Sequence, residues 1–75
     1  MKTVYEVQKL LIKFGTVIYT GNRTGDLELM ESEVEELFQH QFISNDEYIQ
    51  AKLLLKKEIT KLKAAKGEAN MNEKF

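Results

Sequence analysis

The chain has no cysteine and a single histidine, and these two shortages remove much chemistry at the outset. Without thiols there are no disulfides, no thiolate metal sites and no cysteine nucleophile. A reducing cytoplasm suits such a composition, and a cytoplasmic location is expected. His40 alone cannot assemble a multi-histidine zinc centre. Long apolar runs are missing too: Leu53-Leu54-Leu55 falls far short of the about 20 residues that a spanning helix needs. The residues after Lys2 are amphipathic, include Glu6 and lead to no small-residue cleavage site, while Glu73-Lys74-Phe75 matches no lipidation or retention signal. No membrane partner is expected.

At 75 residues the chain has room for one domain, with a thin core and modest stability. With disulfides and metals excluded, association with a partner or a second copy is the remaining aid to stability. Net charge is only −1, yet the charges are sorted. Lys2, Lys9, Lys13 and Arg23 stand against Glu6 alone. Asp26, Glu28, Glu31, Glu33, Glu35 and Glu36 follow without a cation. Lys52, Lys56, Lys57, Lys61, Lys63 and Lys66 then stand against Glu58. This basic–acidic–basic order favours packing one helix between two others, or leaves separate charged surfaces for partners.

The pattern predicts three helices. Thr3 and Glu6 have the spacing of a capping box, and Val4, Val7, Leu11 and Phe14, widened by Leu10, recur at helical intervals up to Gly15. Thr16 to Gly25 reads as an extended connector with Val17 or Ile18 turned inward, closed by a turn at Gly21, Asn22 and Gly25. A second helix is predicted from near Asp26 to around Gln41, with Leu27, Met30, Val34, Leu37 and Phe38 as its apolar stripe. Ser44 and Glu47 form a second capping box, flanked by Ile43 and Tyr48 as a hydrophobic staple. The third helix is predicted over Asn45–Lys66, with Tyr48, Ala51, Leu55, Ile59 and Leu62 facing one way. Ile49, Leu53 and Leu54 fall outside that stripe. Gly67 ends the helix and Glu68–Phe75 reads as a disordered tail. The fold class is therefore all-α: a compact three-helix bundle over residues 1–67 with an extended connector between helices 1 and 2.

No catalytic arrangement accompanies these elements. The acidic cluster lacks the alternating oxygen ligands and glycine of a calcium loop and reads as a solvated glutamate face, so no metal or cofactor is expected. His40 has no nucleophile motif to serve and reads as a C-terminal capping or surface histidine. Gly21-Asn22-Arg23-Thr24-Gly25 does not match a phosphate-cradling loop; Arg23 is expected to pair with Asp26 or cap a neighbouring helix. The basic faces are the candidates for function. Lys52, Lys56 and Lys63 lie along one edge of the third helix, and Lys57 and Lys61 along another. If the first helix is a neighbour, Lys9, Lys13 and Arg23 extend one of these edges, with Tyr5, Tyr19 or Tyr48 placed to stack on unpaired bases.

Tyr5-Glu6-Val7-Gln8 with Leu10-Leu11, then Phe14-Gly15-Thr16-Val17-Ile18-Tyr19-Thr20-Gly21, then Arg23 and Asp26-Leu27-Glu28-Leu29-Met30 resemble the YqgQ-like family of small cytosolic proteins of low-GC Gram-positive bacteria. The resemblance spans roughly residues 1–66 and is most specific where Tyr-Thr-Gly-x-Arg leads into Asp-Leu-Glu-Leu-Met. It implies a compact three-helix bundle and carries over no catalytic residue. Two functional expectations follow from the residues themselves. One is a non-enzymatic binder of single-stranded DNA or RNA using Lys9, Lys13, Arg23, Lys52, Lys56 and Lys63. The other is a protein-interaction module, a homodimer or an adaptor, that leaves Leu53 or Leu54 exposed.

Overall fold

A computed structural model describes residues 1–65; the expected end of the third helix at Lys66–Gly67 and the tail after it lie outside the described residues. Three helices follow in order: α1 (Val4–Lys13), α2 (Arg23–Gln39) and α3 (Asn45–Ala65). They form the all-α bundle that the periodicity predicts.

α1 starts where its capping box places it. Thr3 Oγ1 accepts the Glu6 N–H at 3.3 Å, and the Glu6 carboxylate returns to the backbone N–H groups of Thr3 and Lys2. The helix ends in a Schellman turn: Gly15 N–H donates to Ile12 O and Thr16 N–H to Leu11 O, with Gly15 at φ +89°.

α2 begins three residues earlier than expected. Asn22, extended at φ −114°, is the N-cap, and its Oδ1 accepts the Gly25 N–H at 2.8 Å. Gly25 thus lies inside the first turn rather than breaking the chain. The reversal into the helix falls one step earlier, on Gly21 at φ +90°, a conformation open to glycine without a steric penalty. Asp26 is therefore not the cap. It is buried at the end of the first turn, and its Oδ1 accepts both the N–H (2.9 Å) and the hydroxyl (2.5 Å) of Thr20, latching the end of the connector to α2.

α2 ends at Gln39, and the turn after it repeats the Schellman pattern: Gln41 N–H donates to Phe38 O and Phe42 N–H to Leu37 O. Here the left-handed residue is Gln41 at φ +63°, which costs a side-chain-bearing residue about 1 kcal/mol relative to glycine. His40 is the C-cap, as its place near the helix end suggested, with its ring 6.1 Å from that of Phe42. The predicted second capping box is present in both directions, Glu47 N–H to Ser44 Oγ at 3.0 Å and Ser44 N–H to Glu47 Oε1 at 2.9 Å.

The core is assembled from all three helices: Val7 and Leu11; Leu27, Met30 and Val34; Ala51, Leu55 and Ile59, closed at one end by Ile43. Phe38 and Tyr48 stack beside it with ring centroids 4.1 Å apart. Full burial of an aliphatic side chain contributes about 1.5–3 kcal/mol, so a core of nine residues leaves little surplus over chain entropy. Ile18 of the connector packs on this core while Val17 stays exposed, which resolves the connector's orientation. Leu54 also packs inward; Leu53, 65% exposed, does not.

Candidate nucleic-acid interface

The basic residues divide according to which neighbour each flank of α3 meets. On the α2 side, Lys52 Nζ lies 2.5 Å from Glu35 Oε2 and 3.5 Å from Glu31 Oε2, and Lys56 Nζ lies 3.3 Å from the same Glu31 oxygen. Each residue pair sits one helical turn apart, and the order of partners shows α2 and α3 running antiparallel. Glu31 Oε2 is shielded from solvent without a well-directed hydrogen bond, so the two ammonium groups are its compensation. The Lys52 hydrogen bond holds the Glu35 carboxyl below the usual glutamate range, and the same bond raises Lys52 above the usual lysine range. Lys52 also lies 5.9 Å from the Tyr48 ring centroid. These two lysines, expected to contact phosphate, are thus occupied by the acidic face of α2.

The other flank is open. A groove of about 410 Å³ runs between the start of α1, the start of α2 and the outer edge of α3. Its cations come from three elements: Lys2 from the α1 cap, Arg23 from the first residue of α2, and Lys57 and Lys61 from α3. Glu58 is the single carboxylate on its wall, and Leu54 and Val4 make its apolar floor. All four cations are exposed. The spacing Leu54, Lys57, Glu58, Lys61 is one helical stripe, which is why these residues share a wall.

Tyr5 lines the same groove, 65% exposed, and Lys9 Nζ lies 5.6 Å from its ring centroid. That cation–π contact sets Lys9 beside the ring, although Lys9 itself does not line the groove. Lys2 is held in place by its own backbone, whose N–H donates to Glu6; the donors from Lys2 and Thr3 keep the Glu6 carboxyl below its ordinary range.

Of the six residues expected at the interface, the structure brings Arg23 alone to the groove lining, with Lys9 beside it on the Tyr5 ring. It places Lys52 and Lys56 in ion pairs on the opposite flank. Lys13, in the last turn of α1, and Lys63, in the last turn of α3, do not line the groove. Arg23 makes no ion pair with Asp26, whose donors come from Thr20. Sequence reasoning missed Lys2 as a contributor and set Lys57 and Lys61 aside. The i, i+4 spacing of Glu31/Glu35 matches Lys52/Lys56 and Lys57/Lys61 alike, so the sequence carries no signal for which lysine pair is neutralised. Among the described residues no cluster of histidine, aspartate or glutamate is arranged to hold a metal ion, and no helix is long and apolar enough to cross a membrane.

The YqgQ-like family matches over residues 1–61. A relative in Bacillus subtilis (strain 168), the uncharacterised protein YqgQ, is 36% identical over 63 residues, covering 84% of this chain and 89% of its own length. With a family match over most of its length and a relative of that identity, the chain belongs to the YqgQ-like family.

Proposed function

We propose that this protein is a non-enzymatic binder of single-stranded nucleic acid, and that the groove formed by Lys2, Tyr5, Arg23, Lys57 and Lys61 is its contact surface. The observation that carries the reading is the convergence of four cations and one exposed aromatic ring on a single concavity, in a chain whose net charge is −1. Lysine and arginine at such a surface neutralise phosphates, and an exposed ring stacks on a base of any identity. Unpaired bases are needed for that stacking, which favours single strands over duplex. A cytoplasmic location is proposed with it, on the cysteine-free composition.

Fluorescence anisotropy of labelled single-stranded DNA and RNA, at low and near-physiological salt with duplex of equal length as control, tests the reading. Saturable binding that weakens with salt and prefers single strands is the expected result. Flat traces at low salt, where electrostatic binding is strongest, would overturn it.

A second reading rests on a separate observation. Leu53 and Ile49 lie one turn apart on α3 and are both exposed, as a protein-interaction module requires. Leu53→Asp should then dissolve a homodimer or release an adaptor partner while leaving the thermal melt unchanged. A sedimentation profile that is monomeric before and after the change would remove the homodimer.

A further inference from the structure

Next to the groove lies a smaller recess of about 160 Å³, and Arg23 is a wall of both. Resting on the nucleic-acid reading of the groove, we infer that this recess accepts one nucleobase of the bound strand and selects guanine.

The chemistry of the lining carries the assignment. Asp26 is a carboxylate only 5% exposed, it lines the recess, and no cation lies within ion-pair distance of it among the described residues. Thr20 takes two positions on Oδ1. Oδ2 receives no donor among the described residues, and an ionised carboxylate accepts about four hydrogen bonds. That oxygen is not sealed from solvent, and it is available to the N–H donors of a ligand. Half-buried Gln8 adds an amide that can both accept and donate. Ile18 and Met30 give the recess apolar walls, and Tyr19, 84% exposed, stands at its rim as a stacking surface.

A phosphate is excluded from the recess by the Asp26 charge, whereas the groove on the other side of Arg23 attracts one. The strand is thereby oriented, backbone toward Lys2, Lys57 and Lys61, base toward Asp26. Among the bases, guanine presents two neighbouring N–H donors, at N1 and N2, beside the O6 acceptor. The donors match the free side of Asp26 and the Gln8 carbonyl; O6 and N7 are the acceptors that arginine reads. Adenine offers no ring N–H on that edge. Cytosine offers a ring acceptor there, and thymine or uracil offers a single ring N–H flanked by two carbonyl oxygens that the carboxylate repels.

The test uses the whole chain and four thymidine dodecamers, one unmodified and three with a single central G, A or C, compared by anisotropy. The G-containing strand should bind about tenfold tighter than the others, the lower range of discrimination for a two-bond base contact. Equal affinity for all four would overturn the recess assignment and leave the groove reading standing; no binding of any would overturn the groove reading and the inference with it. Asp26→Asn, which replaces an acceptor oxygen with a donor, should abolish the preference. A folded D26N that keeps it overturns the inference. Since Asp26 also latches Thr20, Gln8→Leu serves as the second variant: the latch is intact there, and an undiminished preference for G would equally overturn it.

Discussion

Lys52 and Lys56 lie one helical turn apart on the flank of α3 that faces α2; Lys57 and Lys61 lie one turn apart on the flank beside α1. The residue type and spacing are identical. The first pair meets Glu31 and Glu35 at the same spacing on an antiparallel neighbour and is neutralised. The second pair meets Lys2 and Arg23 and accumulates charge. One flank therefore serves cohesion, and the other is left with four cations against Glu58 alone, an excess that favours an external anion. The difference lies in what the neighbouring helix presents, not in α3 itself.

The largest expected effect comes from reversing the open flank. Lys57→Glu with Lys61→Glu should weaken single-strand binding by about tenfold or more, and flatten the logarithmic salt dependence by roughly 1.4, two phosphate contacts at about 0.7 each. Lys63→Glu makes the same kind of charge change outside the groove and should shift affinity by about twofold or less, because distant exposed charges are screened. Similar losses in both variants, measured by titration at three salt concentrations, would reduce the comparison to a matter of net charge.

A smaller effect is expected on the paired flank. Glu31→Gln leaves two ammonium groups without their shared carboxylate, and urea unfolding should show a loss of about 1 kcal/mol, the upper range for partly exposed pairs. Single-strand affinity should stay within about twofold. If the freed lysines raise it as strongly as Lys57 and Lys61 support it, the flanks are interchangeable.

The smallest effect is a pH dependence of the melt. Glu35 is held below its ordinary range by Lys52, so its contribution is full above about pH 4.3, the unfolded glutamate value, and is lost as pH falls through the lower folded value. Lys52 is raised, so its share is full below about pH 10.4 and is lost as pH climbs through the higher folded value. Between these limits the pair is indifferent to pH. Glu35→Gln should flatten the acid limb of the melting temperature; an unchanged limb would assign the acid sensitivity elsewhere.

The helices were legible because their signals are local. Both capping boxes and the apolar stripes of all three helices specify elements without reference to the rest of the chain. The start of α2 was misplaced because Asp26 and Asn22 are both good caps, and what separates them is tertiary: Thr20 takes the Asp26 carboxylate from across the turn. The groove was half legible for a similar reason. Arg23 stands out as a cation at the right helix end. Which flank of α3 it joins depends on how α1 and α2 pack around that helix, and charge counts along the sequence do not contain that angle.

One consequence concerns motion. α1 has ten residues, fewer than the about 12–15 an isolated helix needs to persist in water, and it is held to the bundle chiefly through Val7 and Leu11. Its backbone amides should exchange with solvent through openings that leave α2 and α3 intact, at a lower free energy than global unfolding. The groove straddles that seam, since Lys2 and Tyr5 ride on α1 while Lys57 and Lys61 ride on α3. A strand bound across it would slow α1 exchange by the linkage between binding and opening, about 2.7 kcal/mol of added protection at a hundredfold excess over Kd. The ligand would act as a clasp on the least secure helix, and hydrogen exchange along α1 would register its arrival.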